Sequence, residues 1–526
     1  MSRWRWVVLL VLGILTAGAM AVFVRVPGYM DAEYYYATAI ELAEGHGFQE
    51  PFLWNYLDDP ESLPHPSHLY WMPLSSVLSA AGLALLGTGF RSAQLPFVVL
   101  TAGLPVLTAW VSLRLKAAPH QAFFSGLLAA FAGFYLPFFV TTDAFVPYAW
   151  IGTLAFALGA AAYRNPRWFL WLAAGLAAGA AQLARADGIL LLLPLVGLAL
   201  VARSRRLTAI GSLVAGCLLV LAPWLARNLA VSGSLLASGG ARTLWLASYD
   251  ELFSYPASVL GPARWWSQGL GNILSARAEA LGSNLTTLVV VVGSVILGPF
   301  MLMGAWQKRR EPMVAAAAAY LFLLLTGMTL AFPFSGTRGG LFHSAAAALP
   351  ILWALVPFGV VSVLGWVSAR RKWDPMRAWR LFTPAILAFV IIISAWIAWD
   401  RAAAGWPSAP RWEGADSQHR DVAAALLHLD PSPGTVAVND PPGFYLASGL
   451  PCVVVPYGDG STLRAVVERF DLEWVILDAN FPAPLASVYQ DPVSVSWLTL
   501  RGQVKDAQGR PVYLLQVTAQ GAGEAP

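Results

Sequence analysis

The stretch that decides the fold is Leu381–Trp399, LFTPAILAFVIIISAWIAW, in which no residue carries a charge. A helix that crosses a lipid bilayer needs about 20 mostly apolar residues, so a run of this length and composition is typical of a membrane span. Pro384 is compatible with a helix here, because membrane helices tolerate glycine and proline. The segment therefore predicts an α-helix inside a bilayer.

Similar stretches recur along the chain, and together they predict a polytopic α-helical membrane protein with about eleven transmembrane helices. In chain order they are Trp6–Val24, Ala93–Leu113, Ala122–Val140, Phe145–Tyr163, Trp168–Leu183, Ile189–Ala202, Ala209–Ala226, Leu285–Trp306, Val314–Ala331, Ala345–Val367 and Leu381–Trp399. The first of them follows a basic N-terminus, as the apolar part of a signal peptide does. No convincing small-residue cleavage site precedes Arg25, so we expect a retained helix.

The composition of the whole chain agrees with this class. Of 526 residues, 57% are hydrophobic and only 12% are charged, against about 25% charged in a typical soluble domain. So few charges cannot cover the apolar surface of a soluble fold of this size, which excludes a cytosolic enzyme and a disordered protein. Two cysteines leave no disulfide framework. The net charge of +4 fits arginine-rich loops of a membrane protein, and no nucleic-acid partner is expected.

The basic residues fall on alternate loops between the predicted helices, which indicates the orientation in the membrane. With the N-terminus in the cytoplasm, the cytoplasmic segments contain Arg3, Arg5, Arg114, Lys116, Arg164, Arg167, Arg203, Arg205, Arg206, Lys308, Arg309, Arg310, Arg370, Arg371, Lys372, Arg377 and Arg380. The opposite side receives Asp31, Glu33, Glu41, Glu44, Glu50, Asp58, Asp59, Glu61, Asp143, Asp187, Asp250 and Glu251. Counting the apolar segment Tyr70–Leu86 as a span would invert every later loop, so we expect it to lie along or dip into the outer surface.

This topology divides the chain into a membrane domain, residues 1–400, and an extracytoplasmic tail, residues 401–526. The membrane domain has two long external loops, at about residues 25–94 and 227–284. The tail alternates helix and strand patterns, which indicates a small α/β domain. Its predicted elements are helix Asp421–Leu429, strand Thr435–Asn439, a helix near Phe444, strand Cys452–Val455, helix Ser461–Phe470, strand Trp474–Asp478 and strand Val512–Val517. The chain has few lysines and many alanines, glycines and arginines, which is typical of a bacterium with a GC-rich genome. We therefore expect the protein in a bacterial plasma (inner) membrane.

Acidic residues at the outer ends of the helices are the first candidates for function, because an ionisable group beside a membrane cavity is a functional candidate. Asp31 and Glu33 follow the first helix, and Asp143 ends the third. A divalent cation near Asp31 and Asp143 is left open, and the sequence has no metal-type cysteine spacing.

Basic residues stand at the same face of the membrane. The candidates are Arg185, Arg227, Arg338 and His343. Arg185 has an alternative role in a local ion pair with Asp187, and Arg227 has one as an interfacial anchor. Arg338 precedes two glycines, whose backbone freedom lets an anionic group approach closely.

Two histidines and two aromatic residues in the first loop form a further group, His65, His68, Tyr70 and Trp71. Two histidines are able to bind a metal together with a carboxylate, but a His-x-x-His with an intervening proline is weak support for that. A structural role in the loop or contact with a sugar or acceptor is the favoured interpretation.

These motifs resemble the polytopic glycosyltransferases of the GT-C class. The resemblance covers about residues 1–400 and is strongest over 25–150, where the acids at 31 and 33 precede Tyr34-Tyr35-Tyr36, Gly45-His46-Gly47-Phe48, a His-Pro…Tyr-Trp segment, Arg91…Pro96 and Thr142-Asp143-Ala144. The chain is most similar to family 39 and its relatives with an RgtA/B/C/D-like domain, and more distantly to protein O-mannosyltransferases and the lipid A aminoarabinose transferase. It departs from the family where Ala32 separates two acids that are often adjacent.

The resemblance implies an inverting glycosyltransferase that uses a sugar carried on a polyprenyl phosphate. In that family an external acid after the first helix is the base, and Asp31 matches it. Asp143 matches a second acid that orients the acceptor or a cation, a role that Glu33 would share. The basic residues Arg185, Arg227, Arg338 and His343 would hold the lipid phosphate. The acceptor, a glycan, lipid or protein, is not specified.

Two other classes are kept as alternatives, a membrane transporter or lipid flippase and a non-catalytic scaffold with a partner-binding tail. Transporters usually carry inverted repeats and polar or broken helices near the middle of the membrane. The predicted helix interiors here are almost free of charge, and the polar groups gather at one face, which favours catalysis at a membrane surface.

Overall fold

The protein, as a computed structural model, is described over residues 1–202, 205–236 and 238–518, so Arg203 lies outside the described residues. Its helices are α1 Arg3–Phe23, α2 Met30–Ala43, α3 Leu74–Leu86, α4 Phe90–Arg114, α5 Pro119–Phe131, α6 Leu136–Phe139, α7 Phe145–Arg164, α8 Trp168–Ala184, α9 Leu192–Val201, α10 Arg206–Ser232, α11 Ser238–Arg242, α12 Pro262–Ser267, α13 Gly269–Thr286, α14 Gly298–Gln307, α15 Pro312–Thr326, α16 Pro333–Thr337, α17 Gly340–Ala345, α18 Leu349–Arg371, α19 Pro375–Ala398, α20 Gly414–Leu429, α21 Pro441–Ser448, α22 Gly460–Phe470 and α23 Ala486–Gln490. Its strands are β1 Gln49–Glu50, β2 Phe52–Leu53, β3 His65–Pro66, β4 Thr435–Val438, β5 Cys452–Val454, β6 Leu472–Leu477, β7 Leu498–Lys505 and β8 Pro511–Val517.

Each of the eleven predicted apolar stretches falls on helical structure, which makes this a multi-pass α-helical membrane protein. Within the described ranges, seven helical segments are long and apolar enough to cross a membrane, or eight if the bent pair Pro119–Phe131 and Gly133–Phe139 is one span. Trp168–Ala184 and Ala186–Val201 are shorter apolar helices. The stretch 285–306 is interrupted between α13 and α14. The total of eleven spans stays a prediction.

Helix α3 corresponds to the apolar segment that was predicted not to cross the membrane. Its 13 residues span about 20 Å at 1.5 Å per residue, which is less than the roughly 30 Å of a hydrocarbon core. It packs on α4, where Gly82 lies against the carbonyl oxygen of Ser92. Its length therefore supports a surface helix.

The bundle is held together by close backbone contacts at small residues. Gly175 of α8 lies directly against the carbonyl oxygen of Leu213 on α10, and Gly359 of α18 lies against that of Phe300 on α14. A side chain at either glycine would occupy the space of the neighbouring backbone. Small residues allow such close approach, and van der Waals packing at these contacts is a principal source of helix association in lipid.

The predicted cytoplasmic loops and the predicted external segments lie at opposite ends of the helix bundle. At one end the predicted cytoplasmic loops meet, where Arg164 pairs with Glu311 and the ring of His120 lies 5.4 Å from that of Trp379. The other end carries the first external loop, the turn at Asp143 and the tail. The predicted grouping of loops is consistent with this arrangement.

The tail contains a six-stranded sheet in the order β2-β5-β4-β6-β8-β7. The first three pairs, β2 with β5, β5 with β4 and β4 with β6, are parallel, and β8 and β7 add antiparallel. Every predicted tail element is present, while β7 was not predicted. Strand β2 comes from the first external loop, with Phe52 opposite Cys452 and Leu53 opposite Val453. The tail sheet therefore includes a strand from residues 25–94, and the boundary at 400 stays a prediction.

A second attachment joins the start of the tail to the chain just after α1. Arg25 Nε donates to Glu413 Oε1 at 2.6 Å, and Trp412 Nε1 donates to the Val26 carbonyl at 2.9 Å. Gly28 has a φ of +86° and faces the indole of Trp412, which leaves no space for a Cβ. These contacts hold the tail beside the entry to α2.

Candidate active site

Three titratable side chains meet where α2, α7 and α17 converge. Asp31 lies in the first turn of α2, Asp143 directly precedes the residue that caps α7, and His343 lies in α17. His343 Nε2 is 3.1 Å from Asp143 Oδ2 and 3.5 Å from Asp31 Oδ2. The Asp143 side chain is 1% exposed and that of Asp31 is 31% exposed. Asp31 is therefore the carboxylate of this group that an incoming molecule is able to reach.

The hydrogen bonds around His343 constrain where its protons are. Nδ1 lies 2.9 Å from the Gly339 carbonyl oxygen, which only accepts, so Nδ1 carries a proton. Nε2 faces two carboxylates, so it requires either a second proton or a cation between the three groups. One ligand atom from each of Asp31, Asp143 and His343 lies within 4.8 Å of the others, so the group is able to hold a metal ion.

The environments of Asp31 and Asp143 shift their pKa values in opposite directions. Burial raises the pKa of Asp31 to about 6, although the charges of His343 and Arg185 act against that rise. Burial alone would also raise the pKa of Asp143, but His343, the Tyr29 hydroxyl and the Ala144 backbone N–H hold that pKa below its usual value. Tyr29 donates to Asp143 Oδ2 at 2.7 Å. Two neighbouring carboxyls whose pKa values differ in this way are typical of sites that perform acid–base chemistry.

Arg185 lies beside this group and also makes the local ion pair anticipated from the sequence. Its Nε is 3.2 Å from Asp187 Oδ1 and 3.1 Å from Ser344 Oγ. Burial would lower the pKa of Arg185, but Asp187, Tyr35 and Asp143 raise it above its usual value, so the guanidinium stays charged. Among the described residues, its hydrogen bonds run through Nε, which leaves the two Nη atoms for an anion.

Two tyrosines, Tyr249 and Tyr70, lie near Asp31, and Arg338 contacts the first of them. The guanidinium of Arg338 lies 4.5 Å from the centre of the Tyr249 ring. Burial raises the pKa of Tyr249, and the charge of Asp31 raises it further. Burial also raises the pKa of Tyr70, with contributions from Tyr249 and Asp31. The two tyrosines are therefore neutral groups near the reachable carboxylate.

Glu33 does not join the group. It is 2% exposed and faces the tail, where His419 and Asp440 lie close to it. Two positions along a helix correspond to a rotation of about 200°, so Asp31 and Glu33 point in nearly opposite directions. Burial raises the pKa of Glu33 well above its usual value, and the neighbouring Asp440 raises it further.

Arg227 lies away from Asp31. Its Nη2 donates to the carbonyl oxygens of Phe48 at 3.1 Å and Ser67 at 2.7 Å, and its guanidinium lies 4.8 Å from the Trp224 ring centre. It therefore ties α10 to the first external loop, a local role that differs from both the phosphate contact and the interfacial anchor considered from the sequence.

The two histidines of the first loop are also engaged locally. His65 Nε2 lies 3.2 Å from Asp58 Oδ2 and its Nδ1 lies 3.8 Å from Glu50 Oε1, and these two carboxylates outweigh burial and raise the pKa of His65 to about 9. Burial lowers the pKa of His68 to about 3, so this imidazole is neutral. Its Nδ1 lies 3.2 Å from the Trp71 carbonyl oxygen.

The ring of Trp71 is similarly occupied within the loop. It stacks on Trp54 with centroids 3.9 Å apart and planes 8° from parallel. That indole face is therefore covered by the protein itself.

Three residues near the site were not assigned from the sequence, Tyr29, Tyr35 and Tyr249. Tyr35 is buried, and the charges of Asp143, Arg185 and Asp31 all act on its hydroxyl. The sequence held a signal for Tyr35, since residues four apart share a helix face and Asp31 is four positions earlier. Tyr29 had no such signal, because it precedes α2 and meets Asp143 only through the fold.

The comparisons with known proteins agree on the fold. The family model for dolichyl-phosphate-mannose-protein mannosyltransferase matches residues 65–226, less than a third of the chain. No curated protein sequence matches the chain significantly.

Several solved structures superpose on most of the chain. ArnT from Cupriavidus metallidurans in the apo state is 13% identical with a TM-score of 0.57, covering 96% of this chain and 97% of its own. The same protein bound to undecaprenyl phosphate is 15% identical with a TM-score of 0.52 and full coverage of both chains. The oligosaccharyltransferase AglB from Archaeoglobus fulgidus, in complex with an inhibitory peptide and a dolichol-phosphate, is 14% identical with a TM-score of 0.53, covering 100% of this chain and 75% of its own. The chain therefore has the GT-C fold that its sequence predicted.

Proposed function

We propose that this protein is an inverting glycosyltransferase that moves a sugar from a polyprenyl-phosphate donor to an acceptor at the extracytoplasmic face of a membrane. The observation that carries the proposal is the position of Asp31, a partly exposed carboxyl that lies 3.5 Å from His343 Nε2 and beside the charged Arg185. The matched family and the similar solved structures, which include complexes with dolichol-phosphate and undecaprenyl phosphate, support this class of donor.

In the proposed reaction, Asp31 is the general base. Its carboxylate takes the proton of the acceptor hydroxyl as the acceptor oxygen forms a bond to the anomeric carbon. The bond between that carbon and the phosphate oxygen breaks, and the phosphate leaves with the electron pair. Attack opposite the leaving group inverts the anomeric centre.

The other members of the group position Asp31 and hold charge. Asp143, fixed by Tyr29 and the Ala144 backbone, orients His343 toward Asp31. A divalent cation fits the two carboxylates and one imidazole as ligands, and when bound it would supply positive charge for the phosphate.

Arg185 is proposed as the principal contact of the donor phosphate, since preorganised positive charge stabilises a leaving phosphate. Arg338 is exposed beside Tyr249 and is proposed as a second contact. Arg227 is less suited to this role, because its Nη2 already donates to two backbone carbonyls.

The location we propose is a bacterial plasma membrane in the cell envelope, with a cytoplasmic N-terminus and an extracytoplasmic tail. The distribution of basic loop residues supports this orientation. A site on the outer face has no access to cytoplasmic nucleotide sugars, so a lipid-linked sugar is the donor that this topology permits. The sugar, a hexose or pentose, and the acceptor are left open.

The transporter and scaffold alternatives receive no support from the comparisons, which point to transferases. The titratable cluster lies at one end of the bundle, where α2, α7 and α17 meet, and a transporter would place such groups near the middle of the membrane.

The test is donor specificity with purified full-length protein. We expect transfer of radiolabel from undecaprenyl-phosphate hexoses or pentoses to material in an envelope extract, and none from nucleotide sugars. Transfer from nucleotide sugars alone, or from no lipid-linked sugar in the set, would contradict the proposal.

A further inference from the structure

A second group of titratable residues lies between α2 and the tail, separate from the Asp31 site. It consists of Glu33 on α2, His419 on α20 and Asp440, which caps the N-terminus of α21. Glu33 is 2% exposed and His419 is 9% exposed. One ligand atom from each residue lies within 4.8 Å of the others.

Two buried atoms in this group have no hydrogen-bond partner among the described residues, Glu33 Oε2 and His419 Nε2. Leaving a buried polar atom unpaired costs about 1–3 kcal/mol, so native proteins usually give such atoms a partner. Both atoms face the same space, which indicates a shared partner.

The separation of His419 from Asp440 fits a shared metal ion better than a direct hydrogen bond. His419 Nε2 lies 3.6 Å from Asp440 Oδ2, which is longer than a protein hydrogen bond. Two ligands of a tetrahedral zinc ion, each about 2.0–2.2 Å from the metal, are about 3.3–3.6 Å apart. The observed separation is close to that value.

Gly443 keeps this space open. A Cβ at position 443 would lie 2.7 Å from His419 Nε2 and 3.0 Å from Glu33 Oε2. The glycine lies inside α21, where alanine would ordinarily be the better helix former by about 1 kcal/mol. The absence of a side chain at 443 therefore leaves both unpartnered atoms accessible to a small ligand.

We propose that Glu33, His419 and Asp440 bind one divalent transition-metal ion of the zinc type. Two carboxylate oxygens and one imidazole nitrogen suit zinc, and water would complete its coordination. The ion would link the tail to α2, two residues beyond Asp31. Its role is therefore positional, since it would fix the helix that carries the proposed base.

The experiment measures zinc in the full-length protein, purified in detergent without a histidine tag, chelated and then dialysed against a small excess of zinc. The variants are H419Q, which removes a ligand, and G443A, which keeps all three ligands but fills the space between them. The matched control is H428Q, because His428 is an exposed histidine near the end of the same helix.

Wild type and H428Q should each retain one more zinc ion per chain than H419Q and G443A. Zinc should raise the thermal unfolding temperature of wild type and H428Q by several degrees more than that of the other two variants. Any ion bound by Asp31, Asp143 and His343 is present in all four proteins, so it does not contribute to the difference in zinc content between them. Equal zinc content in wild type, H419Q and G443A would overturn the proposal and leave a proton shared between Glu33 and Asp440 as the partner.

If H419Q fails to fold, the comparison of G443A with H428Q decides the question. Because the readouts are metal content and stability, failure of this proposal leaves the proposed glycosyl transfer untouched.

Discussion

His343 Nε2 lies 3.1 Å from Asp143 Oδ2, which joins two residues that are 200 positions apart in the chain. The contact fixes an imidazole between a fully buried carboxylate and the partly exposed Asp31. This imidazole therefore influences both the position and the acidity of the proposed base.

The first prediction is that transfer activity falls at acidic pH. The pKa of Asp31 is raised to about 6, and only the ionised carboxylate accepts a proton. About one eleventh of Asp31 is ionised at pH 5 and about ten elevenths at pH 7, so kcat/KM should be about tenfold lower at pH 5 than at pH 7. The measurement is the pH profile of transfer from a lipid-linked sugar. A profile that stays flat from pH 5 to 8 would exclude Asp31 as the titrating base.

The second prediction is that H343Q moves this acidic limb to higher pH. The positive charge near His343 lowers the pKa of Asp31, so its removal raises that pKa. We expect a shift of the limb upward by about one unit, together with a loss in kcat of about 10²-fold. H428Q, on the surface of α20, is the control. A loss of activity with no movement of the limb would mean that His343 acts only on structure.

The third prediction concerns Arg185, the proposed principal contact of the donor phosphate. R185Q should raise the KM for the lipid-phosphate donor by at least about tenfold, because it removes a charge that we assign to the phosphate. Unchanged donor KM in R185Q would leave Arg185 as the local ion-pair partner of Asp187 alone.

The fourth prediction concerns Arg227, which donates to the carbonyls of Phe48 and Ser67. R227Q should lower the stability of the protein by about 1–3 kcal/mol, because it removes charge-assisted hydrogen bonds. The checks are thermal unfolding and donor KM in the same preparation. A large rise in donor KM with unchanged stability would instead indicate that Arg227 binds the donor phosphate.

Much of the fold could be predicted from the sequence, because short stretches of the chain determine their own secondary structure. Apolar runs such as Leu381–Trp399 must be helical in a membrane, because backbone polar groups have no other partner there. Short alternating patterns likewise identified the tail elements, since each pattern reflects the burial of one face.

The parts that were missed depend on contacts between distant segments. Strand β2 has two residues, too few for a periodic pattern, and exists because Phe52 and Leu53 pair with the tail. His343 was assigned to the lipid phosphate, and its contact with Asp143 is set by the packing of α17. The sequence could have shown that Asp31 and Glu33 point to different sides of α2, because helix residues two positions apart face nearly opposite directions.

The central claim is that Asp31 is the base in transfer from a polyprenyl-phosphate sugar. The most direct test measures binding and single-turnover transfer of radiolabelled undecaprenyl-phosphate sugar in wild type, D31N and E44Q. E44Q is the matched control, because Glu44 is an exposed carboxylate at the other end of α2. We predict that D31N binds the donor as wild type does but transfers about 10²–10⁴-fold more slowly, while E44Q is unchanged. Transfer by D31N at the wild-type rate would contradict the account.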